Sequence, residues 1–499
     1  MKFLLLLVQS VWLIASTLHL SASSNPARLN PLIATDSASS SISGFLFNSL
    51  VKYDESGKKV IGDLAESYRF LTPTLIEFKL RRGVLWHDGK PLTAKDVAYT
   101  YELIRSPKVV TPYASDFRVV KSVSVIDDYT VRVAYEKPYF KALEIWMMGI
   151  VPRHILEKES DVMGSRFNTA PVGTGPYILT KLEFSKQIVL EANPRYFEHR
   201  PKIDRIVFHV IADPMTRFLM LKSNQIDVSA LEPMQYERQL DKAFHKQFKT
   251  LELPSHSYTY LGFNLRLKKF QDPRVREALS LAIDRQSLID LLFLGHGNVC
   301  TGPFLPGSNG YNGSVKAPDH NVKKAKALLK AAGYDEKHPL TFEIATSNSN
   351  MIRPYAAEIM QRQLAQIGVK VTLKVMEWQA FLNTVVAPRK FDAVLLGWAL
   401  SLTPDPYALW HSDSDVPGGF NLVGYRSKTV DRLIEEMEGS VDPQKIAALQ
   451  RRIYAKIAED NPYLFLVIPN DINVYSRSIR GVKPTINGIW EDYISWEKK

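Results

Sequence analysis

Hydrophobic residues in the second half of the chain alternate between the spacing of helices and the runs of strands. Residues 322–332 and 355–367 place apolar side chains every three or four positions, which predicts amphipathic helices. The apolar runs at 340–346 and 369–375 predict strands between and after these helices. This βαβ-like alternation predicts a sheet that is covered by helices.

The first half of the chain combines shorter strand patterns with turns. Apolar and polar residues alternate at 18–22, and residues 75–80 and 130–135 have the composition of strands, whereas residues 37–50 have helix-like spacing. The whole pattern predicts a mixed α/β fold. Because 499 residues exceed what one hydrophobic core usually serves, we expect two or more domains.

One strand pattern ends in a loop that is rich in proline and tryptophan. Residues 391–398 form an apolar run with the length of a buried strand, and Pro404 and Pro406 prevent its continuation as strand or helix. Ligands of α/β proteins lie beyond the carboxyl ends of strands, so we expect a binding site here. The alternative is a core strand followed by a surface turn. The candidate site residues in this stretch are Trp398, Ala399, Leu400, Ser401, Asp405 and Tyr407.

The N-terminus has the pattern of a secretory signal. Lys2 precedes an apolar segment at 3–14 that is too short to span a bilayer comfortably, and the small residues Ala15 and Ser16 follow it. Cys300 is the only cysteine, so an exported chain gains no internal disulfide and carries no cysteine for lipid attachment near the signal. We expect a free protein outside the cytoplasm.

Charge and motif content exclude several classes of function. The formal net charge is +11, but lysine and arginine are spread through the chain, which favours a solvated basic surface over a nucleic-acid partner. The sequence contains no G-x-S-x-G, H-E-x-x-H or Walker A motif, and no two of its 11 histidines stand four residues apart. We therefore expect neither catalysis nor a metal or other cofactor.

Three motifs stand in order along the chain at 85–97, 171–177 and 270–285. In the first, Thr93 and Asp96 predict the capped start of a helix, and in the third, Asp272 does the same. The glycines of the second motif lack the third glycine of a phosphate loop and predict a turn. Together the motifs resemble signatures of the extracellular solute-binding proteins of peptide and nickel ABC importers.

The resemblance implies a two-lobed periplasmic-binding-protein fold of type II, in its large form with an extra subdomain. It also implies two hinge crossings, near 256–264 and after residue 463. The expected domains are a signal peptide at 1–16, lobe I at 17–50, 166–258 and 471–499, its extra subdomain at 51–165, and lobe II at 259–470. The expected protein is periplasmic, is not a lipoprotein, and is a monomer that delivers its solute to an inner-membrane ABC permease.

The resemblance also implies how a ligand is held. In peptide-binding relatives the backbone of the segment around Trp398 pairs with an extended peptide. Where dipeptide and oligopeptide receptors carry an aspartate for the ligand's ammonium, this chain has Ser401, and Asp405 is either its substitute or a structural turn residue. Where dipeptide receptors supply an arginine for the ligand's carboxylate, the loop containing Asn348 has no basic residue before Arg353.

The most concrete interpretation is a receptor for a small peptide or a peptide-like solute. A nickel complex or an oligosaccharide is the alternative within the same family, although Met148 lies near the position of the nickel receptors' arginine. A secreted hydrolase is the alternative from another class. Further candidate site residues are Tyr113 and Met148 in the predicted subdomain, Asn264 at the first crossing, and Asn348.

Overall fold

The computed structural model describes residues 16–54, 59–350, 352–400, 403, 405–485 and 488–499. Within these residues the strands are β1 (Thr17–Ala22), β2 (Val51–Tyr53), β3 (Val60–Gly62), β4 (Ala65–Thr72), β5 (Leu75–Leu80), β6 (Val120–Asp127), β7 (Thr130–Tyr135), β8 (Tyr177–Glu183), β9 (Gln187–Ala192), β10 (Arg205–Val210), β11 (Val228–Ala230), β12 (Phe248–Pro254), β13 (Ser257–Phe263), β14 (Gly297–Val299), β15 (Thr341–Ser347), β16 (Lys370–Met376), β17 (Ala393–Ala399), β18 (Tyr463–Ser476), β19 (Ile479–Arg480) and β20 (Glu497–Lys498).

The α-helices of the same residues are α1 (Ser37–Leu46), α2 (Ala94–Arg105), α3 (Arg153–Leu156), α4 (Pro214–Lys222), α5 (Pro233–Arg238), α6 (Lys242–Gln247), α7 (Lys268–Gln271), α8 (Pro273–Ala282), α9 (Arg285–Leu288), α10 (Val322–Ala331), α11 (Ile352–Ala365), α12 (Trp378–Phe381), α13 (Tyr407–Trp410), α14 (Lys428–Glu438) and α15 (Pro443–Asp460). The predicted signal peptide falls almost wholly on residues 1–15, which lie outside the described residues.

The long strand β18 joins the two halves of the molecule. Its first half pairs with β13 and β14, and its second half pairs with β11 and β12. We call the part built on β1 and β8–β12 lobe I, and the part built on β13–β17 lobe II. The chain passes from lobe I to lobe II between β12 and β13 and returns within β18. This confirms a two-lobed α/β fold with two crossings, whereas the residue boundaries of the predicted domains stay predictions.

The cores of the two lobes explain the hydrophobic pattern. In lobe I, Leu18 and Leu20 of β1 share one continuous core with Ile76 and Phe78 of β5, so the four-stranded sheet β4–β7 packs onto the lobe. In lobe II, β17 is buried on both faces, since Leu395 and Leu396 belong to different core clusters. A strand that is buried on both faces has a continuous apolar run rather than an alternating one.

The three sequence motifs are parts of the scaffold. The carboxylate of Asp96 accepts a hydrogen bond from the Thr93 backbone N–H at 2.8 Å, which closes the predicted capping box of α2. The carboxylate of Asp272 accepts from the Arg274 backbone N–H at 2.9 Å at the start of α8. A Cβ atom on Gly173 would stand 1.8 Å from the Leu46 carbonyl oxygen, so only glycine permits this close packing.

Tertiary contacts set where the first helix ends and how far the strand at the second crossing extends. The helix predicted at 37–50 ends at Leu46, because the Leu46 carbonyl accepts a hydrogen bond from the Gly175 backbone N–H at 2.9 Å and the chain continues in extended form. The second predicted crossing, after residue 463, lies on β18, which continues to Ser476. Pro469 lacks an N–H group, but its carbonyl accepts from the Ser255 backbone N–H at 3.1 Å, so β18 passes through the proline into lobe I.

A charged clamp joins the lobes beside β18. His296 of lobe II places its Nδ1 atom 2.8 Å from Glu252 and its Nε2 atom 2.8 Å from Glu237, and both glutamates belong to lobe I. Since an ionised carboxylate only accepts hydrogen bonds, both ring nitrogens must carry protons. Burial lowers the pKa of His296, but the bonds and charges of Glu252 and Glu237 outweigh burial, and the net pKa is raised.

The clamp predicts a pH-dependent stability. A raised pKa in the folded state stabilises the fold fully below the unfolded value of about 6.5, and this stabilisation is lost as pH rises through the folded value. His296→Gln should therefore lower the free energy of unfolding by about 1–3 kcal/mol near pH 6 and by much less near pH 9. Denaturant unfolding across that range measures the difference, with the exposed His338→Gln as control. An equal loss at both pH values would show that the imidazolium charge is not what stabilises the contact.

Candidate functional site

A cavity of about 630 Å³ lies between the two lobes. The loop that follows β1 and the segment around Tyr113 form its lobe I wall. The carboxyl end of β17, α12 and the loop before residue 422 form its lobe II wall. We call this cavity the cleft. The residues on which the argument rests are Tyr113, Tyr260, Gly397, Trp398, Ala399 and Phe420.

Trp398 is the central aromatic side chain of the cleft. Its ring stacks on Tyr260 with centroids 6.0 Å apart and meets the edge of Phe420 at 5.2 Å. Its indole Nε1–H donates a hydrogen bond to the Tyr463 hydroxyl at 3.2 Å. The side chain is half-buried, whereas Trp410 of the same predicted loop is fully buried in the core of lobe II. Of these two tryptophans, only Trp398 lines the cleft.

The last residues of β17 leave one strand edge open. Strand β13 pairs with β17 along its whole length, but β15 pairs only with Ala393 and Val394 on the other side. The Leu395 carbonyl accepts from the Thr346 hydroxyl at 2.9 Å. Beyond it, no strand of the described residues pairs with this edge. Gly397 to Ala399 therefore offer unpaired backbone groups next to the cleft.

Arg353 of α11 lies beside this edge, although sequence reasoning did not include it among the site residues. A Cβ atom on Gly397 would stand 2.7 Å from the Arg353 Nη2 atom, so glycine at this position makes room for the guanidinium. The Arg353 Nε atom is buried and has no hydrogen-bond partner among the described residues. Burial lowers the pKa of Arg353. The signal in the sequence was its place as the first basic residue after the predicted carboxylate-binding loop.

Asp405 and Tyr407 take part in contacts between the lobes. The Asp405 carboxylate accepts a hydrogen bond from the Tyr139 hydroxyl at 2.7 Å and from the Tyr407 backbone N–H at 3.0 Å. The guanidinium of Arg118 lies 3.2 Å from the centroid of the Tyr407 ring and pairs with the buried Glu438 of α14. Both residues therefore connect the predicted site loop to lobe I.

The pKa of Glu438 is shifted at this contact. The pKa of Glu438 is raised to about 7, because burial and the charge of Asp405 raise it more than the charge of Arg118 lowers it. The contact thus holds two carboxylates and one guanidinium in a partly enclosed space. The balance between these charges depends on how far the two lobes exclude water from the contact.

A second cavity of about 580 Å³ lies within lobe I and shares Tyr113 and Ser40 with the cleft. Met148 lines this cavity. The Tyr113 hydroxyl donates to the Ala34 carbonyl at 3.1 Å, and its ring meets the edge of Phe420 of lobe II at 5.9 Å. Tyr113 therefore stands between the two cavities.

The remaining candidate residues lie apart from both cavities. The Asn264 side chain is buried and donates to the Phe391 carbonyl at 3.0 Å. The Asn348 backbone N–H donates to the Met376 carbonyl at 2.9 Å, and the Leu400 backbone N–H donates to His256 at 2.8 Å. Ser401 lies outside the described residues. The structure thus brings Trp398, Ala399 and Tyr113 together at the cleft, but not Asn264, Asn348 or Leu400.

The described residues contain no group of three or more histidine, cysteine, aspartate or glutamate side chains that is arranged to hold a metal ion. None of the helices in the described part of the chain has the length and hydrophobicity that crossing a membrane requires.

Two lobes that are joined by two crossings and separated by a cavity define a binding protein whose lobes enclose a solute. A family model described as bacterial extracellular solute-binding proteins, family 5, middle part, matches residues 59–420. The chain belongs to this family of solute-binding proteins. The family assignment confirms the resemblance drawn from the three sequence motifs.

Individual relatives agree with the family assignment. The chain is 32% identical over 480 residues to the oligopeptide-binding protein AppA of Bacillus subtilis, covering 92% of this chain and 87% of AppA. The structure of that AppA in complex with a nonapeptide matches with a TM-score of 0.91 and 30% identity, covering 97% of this chain and 99% of AppA. NikZ from Campylobacter jejuni, in complex with Ni(L-His), matches with a TM-score of 0.85 and 26% identity over 97% and 99% of the two chains.

Proposed function

We propose that the protein is an exported receptor that binds a peptide in the cleft and delivers it to an inner-membrane ABC permease. The observation that carries the proposal is the open edge of β17 inside the cleft, from Gly397 to Ala399. The similarity to AppA, which was solved with a nonapeptide, supports the same ligand class. The signal-like N-terminus supports export to the periplasm, where the receptor acts as a monomer.

An extended peptide pairs with the open edge of β17 as an additional strand. Main-chain hydrogen bonds to Gly397 and Ala399 supply affinity without selecting ligand side chains, because every peptide offers the same backbone groups. Trp398 lies between these two residues and covers the ligand with its ring. Its position is held by stacking on Tyr260 and by the hydrogen bond to Tyr463.

Arg353 supplies a positive charge beside the open edge of β17. Its guanidinium lies against Gly397, next to the open edge. A buried guanidinium with an unsatisfied donor gains most from an anionic partner, and the C-terminal carboxylate of a peptide is such a group. Arg353 therefore takes the role that the sequence resemblance assigned to the preceding loop.

A nickel–histidine complex is the second candidate ligand, because NikZ was solved with Ni(L-His) and has the same fold over 97% of this chain. The carboxylate of such a complex would use Arg353 in the same way. Its metal would have to bring its own ligands, since the described residues of the cleft offer no group of metal-binding side chains.

Peptide binding and lobe closure can be measured together. Native mass spectrometry of the protein mixed with a pool of peptides of two to nine residues should show retained peptide masses. The same pool should reduce the radius of gyration in X-ray scattering, because closure brings the lobes together. Failure to retain any peptide, combined with retention of a nickel–histidine complex, would replace the first ligand class by the second. Hydrolysis of the pool would contradict the receptor function itself.

A further inference from the structure

The cavity within lobe I carries more negative than positive charge. Two ammonium groups, those of Lys52 and Lys141, line it. Lys52 is already engaged, with its Nζ atom 2.8 Å from Glu198 and 3.6 Å from Asp63. The carboxylates that line the cavity are those of Asp63, Asp116, Glu144, Glu198 and Glu491. The carboxyl groups that line the cavity therefore outnumber the ammonium groups.

Asp116 is one of the carboxylates that line this cavity. It accepts no hydrogen bond from a described residue, and the charges that act on it are those of Lys141, Asp405 and Arg118. The pKa of Asp116 is raised to about 6, because burial, aided by the charge of Asp405, outweighs the charges of Lys141 and Arg118. Burial also raises the pKa of the nearby Glu144. Both raised pKa values indicate that neighbouring positive charges do not fully offset the burial of these two carboxylates.

The position of Asp116 connects this charge to the cleft. Asp405, whose charge acts on Asp116, lies on the segment that follows β17. Asp116 also stands three residues after Tyr113, which lines the cleft as well as this cavity. Tyr113 and Ser40, which line both cavities, form the boundary that the ligand would pass.

Aromatic side chains complete the chemistry of the cavity. Trp490 and Tyr493 line it together with Met147 and Met148. The faces of aromatic rings attract cations, and an ammonium or guanidinium gains from them in addition to a carboxylate. An anionic or purely apolar group would find either repulsion or unpaired carboxylates in this cavity.

We propose that the lobe I cavity is a subsite for a cationic group of the bound peptide, with Asp116 as the carboxylate that receives it. The proposal rests on the proposed peptide-receptor function. The cation is either the N-terminal ammonium of the peptide or the side chain of a lysine or arginine near that end. Both sources present the same charge and the same N–H donors to Asp116. Lys141 reduces the preference of the cavity for a cationic group, because it adds positive charge to the same cavity.

The test compares one variant that removes a negative charge from the cavity with one that removes a positive charge. Asp116→Asn keeps the size of the side chain and removes its charge, whereas Lys141→Met removes the competing positive charge. Asp128→Asn is the matched control, since Asp128 pairs with Lys95 at 3.6 Å on the exposed turn between β6 and β7. The probe is an equimolar pool of tetrapeptides to nonapeptides. Each peptide is present with a free and with an acetylated N-terminus, and with either lysine or methionine near that end.

Native mass spectrometry of the competing peptides gives the preference of each variant. The wild type and Asp128→Asn should retain cationic peptides at least about tenfold more than their neutral counterparts, the factor expected for a charge-assisted hydrogen bond. Asp116→Asn should reduce this ratio to within about twofold, and Lys141→Met should preserve or increase it. If the N-terminal ammonium is the bound cation, acetylation lowers peptide retention. If the lysine side chain is the bound cation, its exchange for methionine lowers peptide retention.

The outcomes separate the two proposals. Retention of peptides without any preference for a cation, or a preference that persists in Asp116→Asn, would overturn the subsite and leave the receptor function intact. Retention of no peptide by the wild type would overturn the receptor function, and the subsite with it. Thermal melts of Asp116→Asn identify a variant that has lost its fold, and Lys141→Met then decides the sign of the charge effect independently.

Discussion

Trp410→Ala is expected to lower the free energy of unfolding by about 3–5 kcal/mol, the usual cost of truncating a fully buried tryptophan. Trp410 has 0% exposure, and its ring packs against Tyr463, Tyr425 and Phe465 with centroids 4.7, 5.8 and 6.2 Å away. Removal of the indole leaves a cavity that these aromatic rings cannot fill without moving β18. Denaturant unfolding followed by circular dichroism measures the loss.

The structure also indicates how Trp410→Phe should behave. The buried indole Nε1 of Trp410 has no hydrogen-bond partner among the described residues, so phenylalanine loses volume but no hydrogen bond. Its cost should be well below that of alanine. Peptide affinity per folded molecule should change little in either variant, because Trp410 does not line the cleft. A stability loss under about 1 kcal/mol in Trp410→Ala would contradict the assigned place of this residue in the core.

Trp398→Ala should have the opposite profile, with peptide affinity reduced by about 2 kcal/mol or more, which is roughly thirtyfold. The ring walls the cleft, stacks on Tyr260 and meets Phe420, so its loss removes contact area from the ligand. Stability should fall less than in Trp410→Ala, because the side chain is only half-buried. Calorimetric titration with a retained peptide, together with unfolding curves, measures both effects.

Trp398→Phe is the matched control for this prediction. It keeps an aromatic wall and loses the hydrogen bond from the indole N–H to the Tyr463 hydroxyl. Its affinity should lie much closer to that of the wild type than to that of Trp398→Ala. The aromatic ring contacts the ligand, whereas the indole hydrogen bond is made to Tyr463 within the protein. Unchanged affinity in Trp398→Ala, combined with a large loss of stability, would move the ligand to another part of the cleft.

Local patterns in the sequence predicted much of the secondary structure. The strand patterns at 75–80 and 130–135 correspond to β5 and β7 residue for residue, and the N-caps at Thr93 and Asp272 begin α2 and α8. These features depend on side-chain periodicity and on capping hydrogen bonds between residues three or fewer positions apart. Interactions of such short range are contained in the sequence itself.

The candidate site was predicted less completely. The apolar run before the proline-rich loop located the end of β17, where Trp398 and Ala399 line the cleft. The same run did not distinguish Trp398 from Trp410, because both are tryptophans near one loop. Periodicity states which side of an element is apolar, but it does not state whether the facing partner is core or cleft. Arg353 was overlooked as a site residue for the same reason.

The sequence by itself determined the α/β class, the caps, the glycine turns and, through three motifs, the family. Only the tertiary structure decided that β15 stops pairing with β17 at Val394, that His296 meets glutamates more than 40 residues away, and that Asp116 lines the lobe I cavity. These arrangements join residues that are distant along the chain. Their energies depend on burial and on charges that become neighbours only when the lobes assemble, so no local pattern of hydrophobic and polar residues encodes them.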